Sequence, residues 1–167
     1  MSQQLIDDLH AVRAEIVRRG WASQSLIDVG NLAGIEIKLE AAPNAAVCMT
    51  GAVGCVVESA DFIEWAVEHW SEEPTDWDWS DRGMRIIAAL RRFLPTTKDV
   101  DLNGADDIEA IVYVNDHNLD DKSDALAWID RTIRGLVNEL PPQQTKKKKV
   151  VREAATAKQP QQQEEMA

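Results

Sequence analysis

The chain has 167 residues, of which 44% are hydrophobic, enough to bury one core and to favour a single domain. Its charge is divided unevenly: residues 1–140 carry 12 Lys/Arg against 26 Asp/Glu, net −14, whereas residues 141–167 carry 6 against 3, net +3. The acidic body repels a phosphate backbone, so direct nucleic-acid binding by residues 1–140 is disfavoured.

The N-terminus and the hydropathy of the chain predict a soluble, cytoplasmic protein with no membrane partner. Met1–His10 is polar and acidic and lacks the apolar centre of a signal peptide. No apolar run approaches the roughly 18 residues of a membrane span. The spacing from Cys48 to Cys55 corresponds to about 10 Å along a helix, beyond the roughly 7 Å that a disulfide tolerates, so we expect free thiols.

The first predicted element is an amphipathic helix, because Leu5, Leu9, Val12 and Ile16 recur every three or four positions. It should end near Arg19, since Gly20 suits a left-handed cap. Farther on, apolar and charged residues alternate over 35–40, a brief strand signal that fits a short β-hairpin or an extended arm equally well, but the segment is too short to decide between strand and helix.

The least polar stretch, residues 47–57, is predicted to begin the central helix of the fold. Apolar positions recur at helical spacing from Ala52 to Trp70, which predicts one long helix. The small residues Gly51, Ala52 and Gly54 at its start let another backbone approach closely, and this close packing compensates for the roughly 1 kcal/mol that each glycine costs a helix.

Residues 71–80 alternate acids with tryptophans and lie between two predicted helices. Exposed aromatic side chains beside carboxylates suit a partner-binding surface, and we assign it to Trp65, Trp77, Trp79, Asp76 and Asp78. The alternative is that the indoles cover the edge of the core while the acids face water.

The second half of the body adds two helices and one ambiguous segment. Ser80 or Asp81 caps a helix that Pro95 stops, and Asp121 or Ser123 caps a last helix that ends at residues 141–142, both proline. Residues 108–114 are apolar but too few to distinguish strand from helix, and they lead into a polar turn at 115–118. The fold class is therefore mostly α, a single-domain bundle of about four helices over residues 1–140.

Residues 141–167 are predicted to be a disordered basic and Gln-rich tail, since they offer almost no large apolar side chains to bury. The run Lys146, Lys147, Lys148 and Lys149 suits a weak contact with a polyanion, and a solubilising tail has the same composition.

The candidate chemistry is limited to one thiol. Cys48 at the positive end of a helix would be a nucleophile, with His117 as base and Asp116 as its orienter. Cysteine is also an ordinary small buried residue, and Asn115 with Asp116 suits structural bonds to backbone amides. Metal ligands at suitable spacing and cofactor motifs are absent from the sequence, so we expect neither a metal nor a cofactor.

Three segments resemble a family of small uncharacterised proteins of actinobacteria and their phages. They are Gly20-Trp21 after the first helix, the Cys-x-x-Gly-Ala segment 48–52, and Val114-Asn115-Asp116 before the final helix. Residues 45–46 are both alanine where the family usually has Gly-Arg. The resemblance implies an accessory protein and no particular mechanism.

The functional prediction is a phage-encoded, non-enzymatic protein that binds a host or phage protein through its acidic, Trp-containing surface in the host cytoplasm. Two alternatives stay open: a Cys48-dependent thiol enzyme, and an acidic DNA mimic with carboxylates in two phosphate-like rows. The identity of the partner and the oligomeric state are not encoded in any motif.

Overall fold

The structure, a computed structural model, describes residues 3–30, 32, 34–58, 60–69, 74–96, 102 and 104–140. Within them lie seven helices, α1 (Gln3–Arg19), α2 (Ile35–Ala41), α3 (Met49–Val57), α4 (Ala60–Glu68), α5 (Asp81–Arg92), α6 (Asp107–His117) and α7 (Lys122–Glu139), and two strands, β1 (Ile27–Asp28) and β2 (Ala46–Val47). This confirms the mostly helical class with a short β arm, although about four helices had been predicted. The predicted tail, residues 141–167, lies outside the described residues.

Helix α1 forms as its sequence predicts and packs against α3 and α7. Its apolar stripe, Leu9, Val12 and Ile16, is fully buried. Gly20 closes the helix with φ of 99° and donates its N–H to the Ile16 carbonyl at 2.9 Å. Because only glycine adopts this conformation without strain, the chain leaves the helix here and turns toward β2.

The prediction of one long central helix is wrong, because the segment forms two helices, α3 and α4, with a break between them. Glu58 has extended backbone angles and ends α3, and its carboxylate accepts the hydroxyl of Ser80 at 2.7 Å. The break lets Phe62 of α4 fold over Gly54, where a Cβ atom would lie 2.1 Å from the Phe62 ring. Trp70, the last position of the predicted helix, lies outside the described residues.

The alternation over 35–40 left strand and helix undecided, and these residues form α2. The strand partners lie elsewhere: β1 pairs antiparallel with β2, with Ile27 opposite Val47. The Val47 N–H also donates to the Gly20 carbonyl at 3.2 Å, and the Val47 carbonyl accepts the Ala22 N–H at 3.0 Å. These two bonds form a parallel bridge between Val47 and Trp21. Both edges of β2 are therefore occupied, and residues 35–40 satisfy their backbone locally as a helix.

Residues 108–114 form a helix because a capping box starts α6. The Asp106 side chain accepts the Glu109 N–H at 2.8 Å, and the Glu109 carboxylate accepts the Asp106 N–H at 3.3 Å. The prediction of a polar turn at 115–118 is wrong, since Asn115, Asp116 and His117 complete the last turn of this helix.

The core lies where α1, α3, α5, α6 and α7 meet, with α4 closing one side. Its largest fully buried side chains are Trp128, Phe62, Leu9, Ile16, Ile27, Met49, Ile86, Ile87, Leu90, Ile111, Ile129 and Leu136. Met49, Thr50, Gly51, Ala52, Val53 and Gly54 are all buried, so the first turns of α3 run through the middle of the fold. Among the described helices, none has both the length and the apolar character needed to cross a membrane.

Candidate functional site

The start of α3 is built around Cys48, which caps the helix with its sulfur. Cys48 Sγ accepts the Gly51 N–H at 3.3 Å and lies 3.1 Å from Thr50 Oγ1. Gly51 packs directly on the backbone of Leu26, because a Cβ at Gly51 would lie 1.9 Å from the Leu26 carbonyl oxygen. The predicted close approach at this segment is therefore present, and its partner is the residue before β1.

Asn115 joins the end of α6 to two distant segments. Its Oδ1 accepts the Trp21 indole N–H at 2.9 Å and the backbone N–H of Met49 at 3.1 Å. Its Nδ2 donates to the Ala22 carbonyl at 3.3 Å and to Asp116 Oδ1 at 2.9 Å. Asn115 is 1% exposed, and its side-chain oxygen and nitrogen each make two hydrogen bonds. The polar atoms of this buried side chain are therefore satisfied, and the residue is a structural hub.

Asp116 extends this hub to the surface. Its Oδ1 accepts the backbone N–H of Gln24 at 2.8 Å. Gln24 has φ of 62°, a left-handed conformation that is uncommon for a non-glycine residue. The carboxylate of Asp116 therefore holds the loop after Trp21, and the two predicted structural motifs, at Gly51 and at Asn115, meet through Met49.

His117 makes its contacts along its own helix. Its ring stacks on Tyr113 with centroids 4.5 Å apart, and its Nδ1 donates to the Tyr113 carbonyl at 3.0 Å. The ring is exposed. Because Nδ1 donates, Nε2 is the basic nitrogen of the neutral ring, and among the described residues no hydrogen bond joins this ring to Cys48 or to Asp116.

Neither thiol has the electrostatic environment of a nucleophile. Burial raises the pKa of Cys48 more strongly than its bonds to Thr50 and Gly51 lower it, and the negative charge of Asp116 raises it further. Burial also raises the pKa of Cys55 to about 11, although Arg19 donates to its sulfur at 3.0 Å. Both cysteines are free, as predicted. The thiolate that a Cys48 enzyme needs is therefore disfavoured near neutral pH.

Sequence reasoning missed the structural role of Arg19. Its side chain is buried, and it donates to the carbonyls of Ala42 and Ala45 and to Glu15 as well as to Cys55. The guanidinium thus holds the backbone between α2 and β2 against the end of α1 by hydrogen bonds. Only the position of Arg19 in the last helical turn hinted at carbonyl contacts.

The aromatic residues near the acidic segment form one cluster centred on Phe62. Its ring centroid lies 5.4 Å from Trp77 and 5.6 Å from Trp79, and Trp65 lies 5.3 Å from Trp77. All three indoles are partly exposed and pack against the core. The indoles therefore do cover the edge of the core, and each still presents surface to solvent. Phe62 lies on the apolar stripe predicted from Ala52 to Trp70, and that pattern gave no sign of its place at the centre of an aromatic cluster.

Exposed carboxylates lie close in sequence to the members of this cluster. Asp61, Glu64 and Glu68 lie on α4, and Asp76 and Asp78 lie beside Trp77. We call these five acids together with Trp65, Trp77 and Trp79 the acidic tryptophan face. Ion pairs in the described part of the chain join other carboxylates, namely Asp8, Glu15, Asp107, Asp130 and Glu139.

Two indole N–H groups in the face differ in their bonding. Trp79 Nε1 donates to the Pro74 carbonyl at 2.8 Å, which fixes the turn at Pro74–Asp76. Trp77 Nε1 is buried and, among the described residues, has no hydrogen-bond acceptor.

A groove of about 350 Å³ lies along β1, and its lining includes neither cysteine nor Asn115. Its lining includes apolar Ile27 and Val29 together with the opposite charges of Asp28 and Lys38. Such a mixed lining does not specify one class of ligand. In the described part of the chain, His, Cys, Asp and Glu side chains form no group of three that could hold a metal ion.

Residues 1–135 match a family of unknown function, DUF6197. The chain belongs to this family. The match covers α1 to most of α7, and so includes the Cys48 cap, the Asn115 hub and the acidic tryptophan face. Comparison with curated proteins and with solved structures gave no match.

Proposed function

We propose that this member of the family is a non-enzymatic binding protein whose acidic tryptophan face recognises a basic segment of another protein. In keeping with the resemblance of its sequence to actinophage proteins, we propose that it is a phage-encoded accessory protein that acts on a host or phage protein in the host cytoplasm. The observation that carries the binding role is the cluster of three partly exposed indoles, with exposed carboxylates on the same helix and in the same segment.

The geometry supports this role because it supplies both kinds of contact that a basic segment uses. Tryptophan is enriched at the energetic centres of protein interfaces. An indole face also attracts a Lys or Arg side chain by about 0.5–2 kcal/mol. The rings of Trp65 and Trp77 are tilted by 48° and do not stack on each other, although His69 stacks on Trp65 with centroids 5.3 Å apart and covers one face of that indole.

The charge of this region supports a basic partner. Between Lys38 and Arg82 the sequence contains no Lys or Arg, and residues 58–81 contain nine Asp/Glu. Such a concentration of one sign speeds the encounter with an oppositely charged surface. Exposed acids also occur on α1, α2, α5, α6 and α7, and this wide distribution does not favour the DNA-mimic alternative.

Affinity purification from lysates of an actinobacterial host tests the proposal. The full chain is compared with Trp77→Ala/Trp79→Ala, which removes two indoles, and with Trp77→Phe/Trp79→Phe, which keeps an aromatic ring packed on Phe62. We expect one specific protein with the wild type, its loss with the alanine pair, and intermediate recovery with the phenylalanine pair.

Circular dichroism of each variant separates loss of binding from loss of the fold, since both tryptophans contact the core. Equal recovery by the wild type and by a folded alanine pair would show that the indoles play no part in binding. Recovery of no specific protein by the wild type would also count against the proposal.

A further inference from the structure

The acidic tryptophan face lies within reach of a basic segment of the same chain. Residues 141–167 follow directly after α7 and contain Lys146, Lys147, Lys148 and Lys149. Their net charge is +3, from 6 Lys/Arg and 3 Asp/Glu, whereas residues 1–140 carry −14. The opposite charges make the body the nearest polyanion that the lysine run can meet.

The length of helix α5 gives the approximate distance between the end of α7 and the acidic tryptophan face. Arg92, at the end of α5, donates to Glu139, at the end of α7, at 2.8 Å. The other end of α5 begins at Asp81, two residues after Trp79. The 12 residues of α5 span about 18 Å at a rise of about 1.5 Å per residue, so α7 ends roughly one length of α5 from the face.

The lysine run covers this distance. Lys146 is six residues beyond Leu140 and Lys149 is nine, which places them up to about 20 Å and about 30 Å from Leu140 when the chain is extended. The route passes α5, where three of the four arginines are paired, Arg82 with Asp8, Arg91 with Asp107 and Arg92 with Glu139, while exposed Arg85 belongs to no ion pair among the described residues. This pairing reduces the repulsion that the lysines meet along α5.

We propose that the Lys146–Lys149 segment docks in cis on the acidic tryptophan face and competes there with the basic partner. The lysine ammonium groups lie against the carboxylates of Asp76 and Asp78 and over the exposed indole surfaces. This regulation rests on the proposed function, whereas the docking itself requires no partner and is tested without one.

The length of the tether sets the strength of the competition. A short tether that can span the two sites gives an effective concentration of about 1 mM. A four-lysine contact with a dissociation constant of about 1 mM would therefore occupy the face about half of the time and weaken partner binding about twofold. Because its contacts are between exposed charges, the docked state should be lost at about 1 M salt, where the screening length is about 3 Å.

Zero-length carbodiimide cross-linking of the full chain, at a concentration where it stays monomeric, tests the docking. The reagent activates a carboxylate and joins it to a lysine amine with loss of water, so each product identifies two groups in contact. We expect monomeric cross-links from Lys146–Lys149 to Asp76, Asp78 and the acids of α4, and their loss at high salt. Exposed Glu36 and Asp120, which lie outside the face, serve as internal references.

A variant of the full chain with Lys146, Lys147, Lys148 and Lys149 all changed to Gln gives a second measurement. In nuclear magnetic resonance spectra, the indole N–H signals of Trp77 and Trp79 should shift relative to the wild type, whereas that of buried Trp128 should not. Cross-links spread equally over the face, Glu36 and Asp120, or unchanged indole signals, would overturn the docking. Either result would leave the proposed function standing, because partner binding is measured separately.

Discussion

Asn115 Oδ1 accepts the backbone N–H of Met49 at 3.1 Å and thereby ties the last turn of α6 to the first residue of α3, 66 positions earlier in the chain. The same oxygen accepts the indole N–H of Trp21. One buried amide thus holds together three segments that are far apart in sequence, and these are the three segments on which the family resemblance depends.

Replacing Asn115 with Ala should destabilise the fold. The change leaves the Met49 and Trp21 donors buried without an acceptor, so we expect the free energy of unfolding to fall by about 2–4 kcal/mol. Urea titration followed by circular dichroism measures it. Asn138, exposed on α7, is the matched control, and Asn138→Ala should change the value by no more than about 0.5 kcal/mol. Equal effects of the two substitutions would contradict the role of Asn115 as a hub.

The close approach of Gly51 to Leu26 predicts that Gly51→Ala destabilises the protein. Alanine favours a helix by about 1 kcal/mol over glycine, but its Cβ would lie 1.9 Å from the Leu26 carbonyl oxygen. The added Cβ would meet the backbone of Leu26, which cannot move aside as a flexible side chain can. We therefore expect the free energy of unfolding to fall by at least about 2 kcal/mol in the same titration. Gly104, where an added Cβ meets nothing within 4 Å, is the control. A stabilised Gly51→Ala variant would show that the two segments separate easily.

Burial of Cys48 predicts slow reaction of its thiol in the native protein. Because burial raises the pKa of both cysteines, we expect little labelling by a thiol reagent at neutral pH and complete labelling of both in urea. Mass spectrometry of the labelled peptides distinguishes Cys48 from Cys55. Rapid stoichiometric labelling of native Cys48 would revive the thiol-enzyme alternative.

The buried carboxylate of Asp8 predicts a loss of stability in acid. The hydrogen bonds from Arg82 lower the pKa of Asp8 below its ordinary value of 3.8. A carboxyl group with a lowered pKa in the folded state stabilises the fold above its unfolded pKa. That contribution is lost as the pH falls through the folded value. Asp8→Asn should therefore lower the free energy of unfolding at neutral pH by about 1–2 kcal/mol.

The same variant should flatten the dependence of stability on pH below about pH 4. Urea titrations at several pH values measure this, with exposed Asp7→Asn as the control. If the wild type and Asp8→Asn lost stability in parallel on acidification, the Asp8–Arg82 pair would not contribute to the acid sensitivity.

Local signals in the sequence were sufficient for three helices and insufficient for the contacts between them. The stripe of α1 with Gly20, the Ser80 cap of α5 and the Asp121 cap of α7 each act within a few residues, and the structure confirms them. The break between α3 and α4 depends on Glu58 reaching Ser80, 22 positions away. No periodicity in the chain encodes that contact.

In the candidate site, too, the sequence indicated the local features but not the contacts between distant segments. The small residues at 51–54 and the Asn-Asp pair were recognisable as structural, but their meeting through Met49 depends on how α6 packs on α3. The thiol hypothesis relied on the helix N-terminus, and burial outweighs that effect. The tryptophans and acids were recognised as a surface, whereas their arrangement around Phe62 follows from the break that turns α4 back over Gly54.

The dissociation constant of the purified partner for three forms of the full chain tests the central claim most directly. They are the wild type, Asp76→Lys/Asp78→Lys within the acidic tryptophan face, and Glu36→Lys/Asp120→Lys, which makes the same change in charge at exposed positions outside it. We predict that reversal within the face weakens binding about tenfold or more, equivalent to about 1.4 kcal/mol, while the control stays within about twofold. Equal weakening by the two pairs would show that only net charge attracts the partner, and unchanged binding by both would show that the partner binds elsewhere.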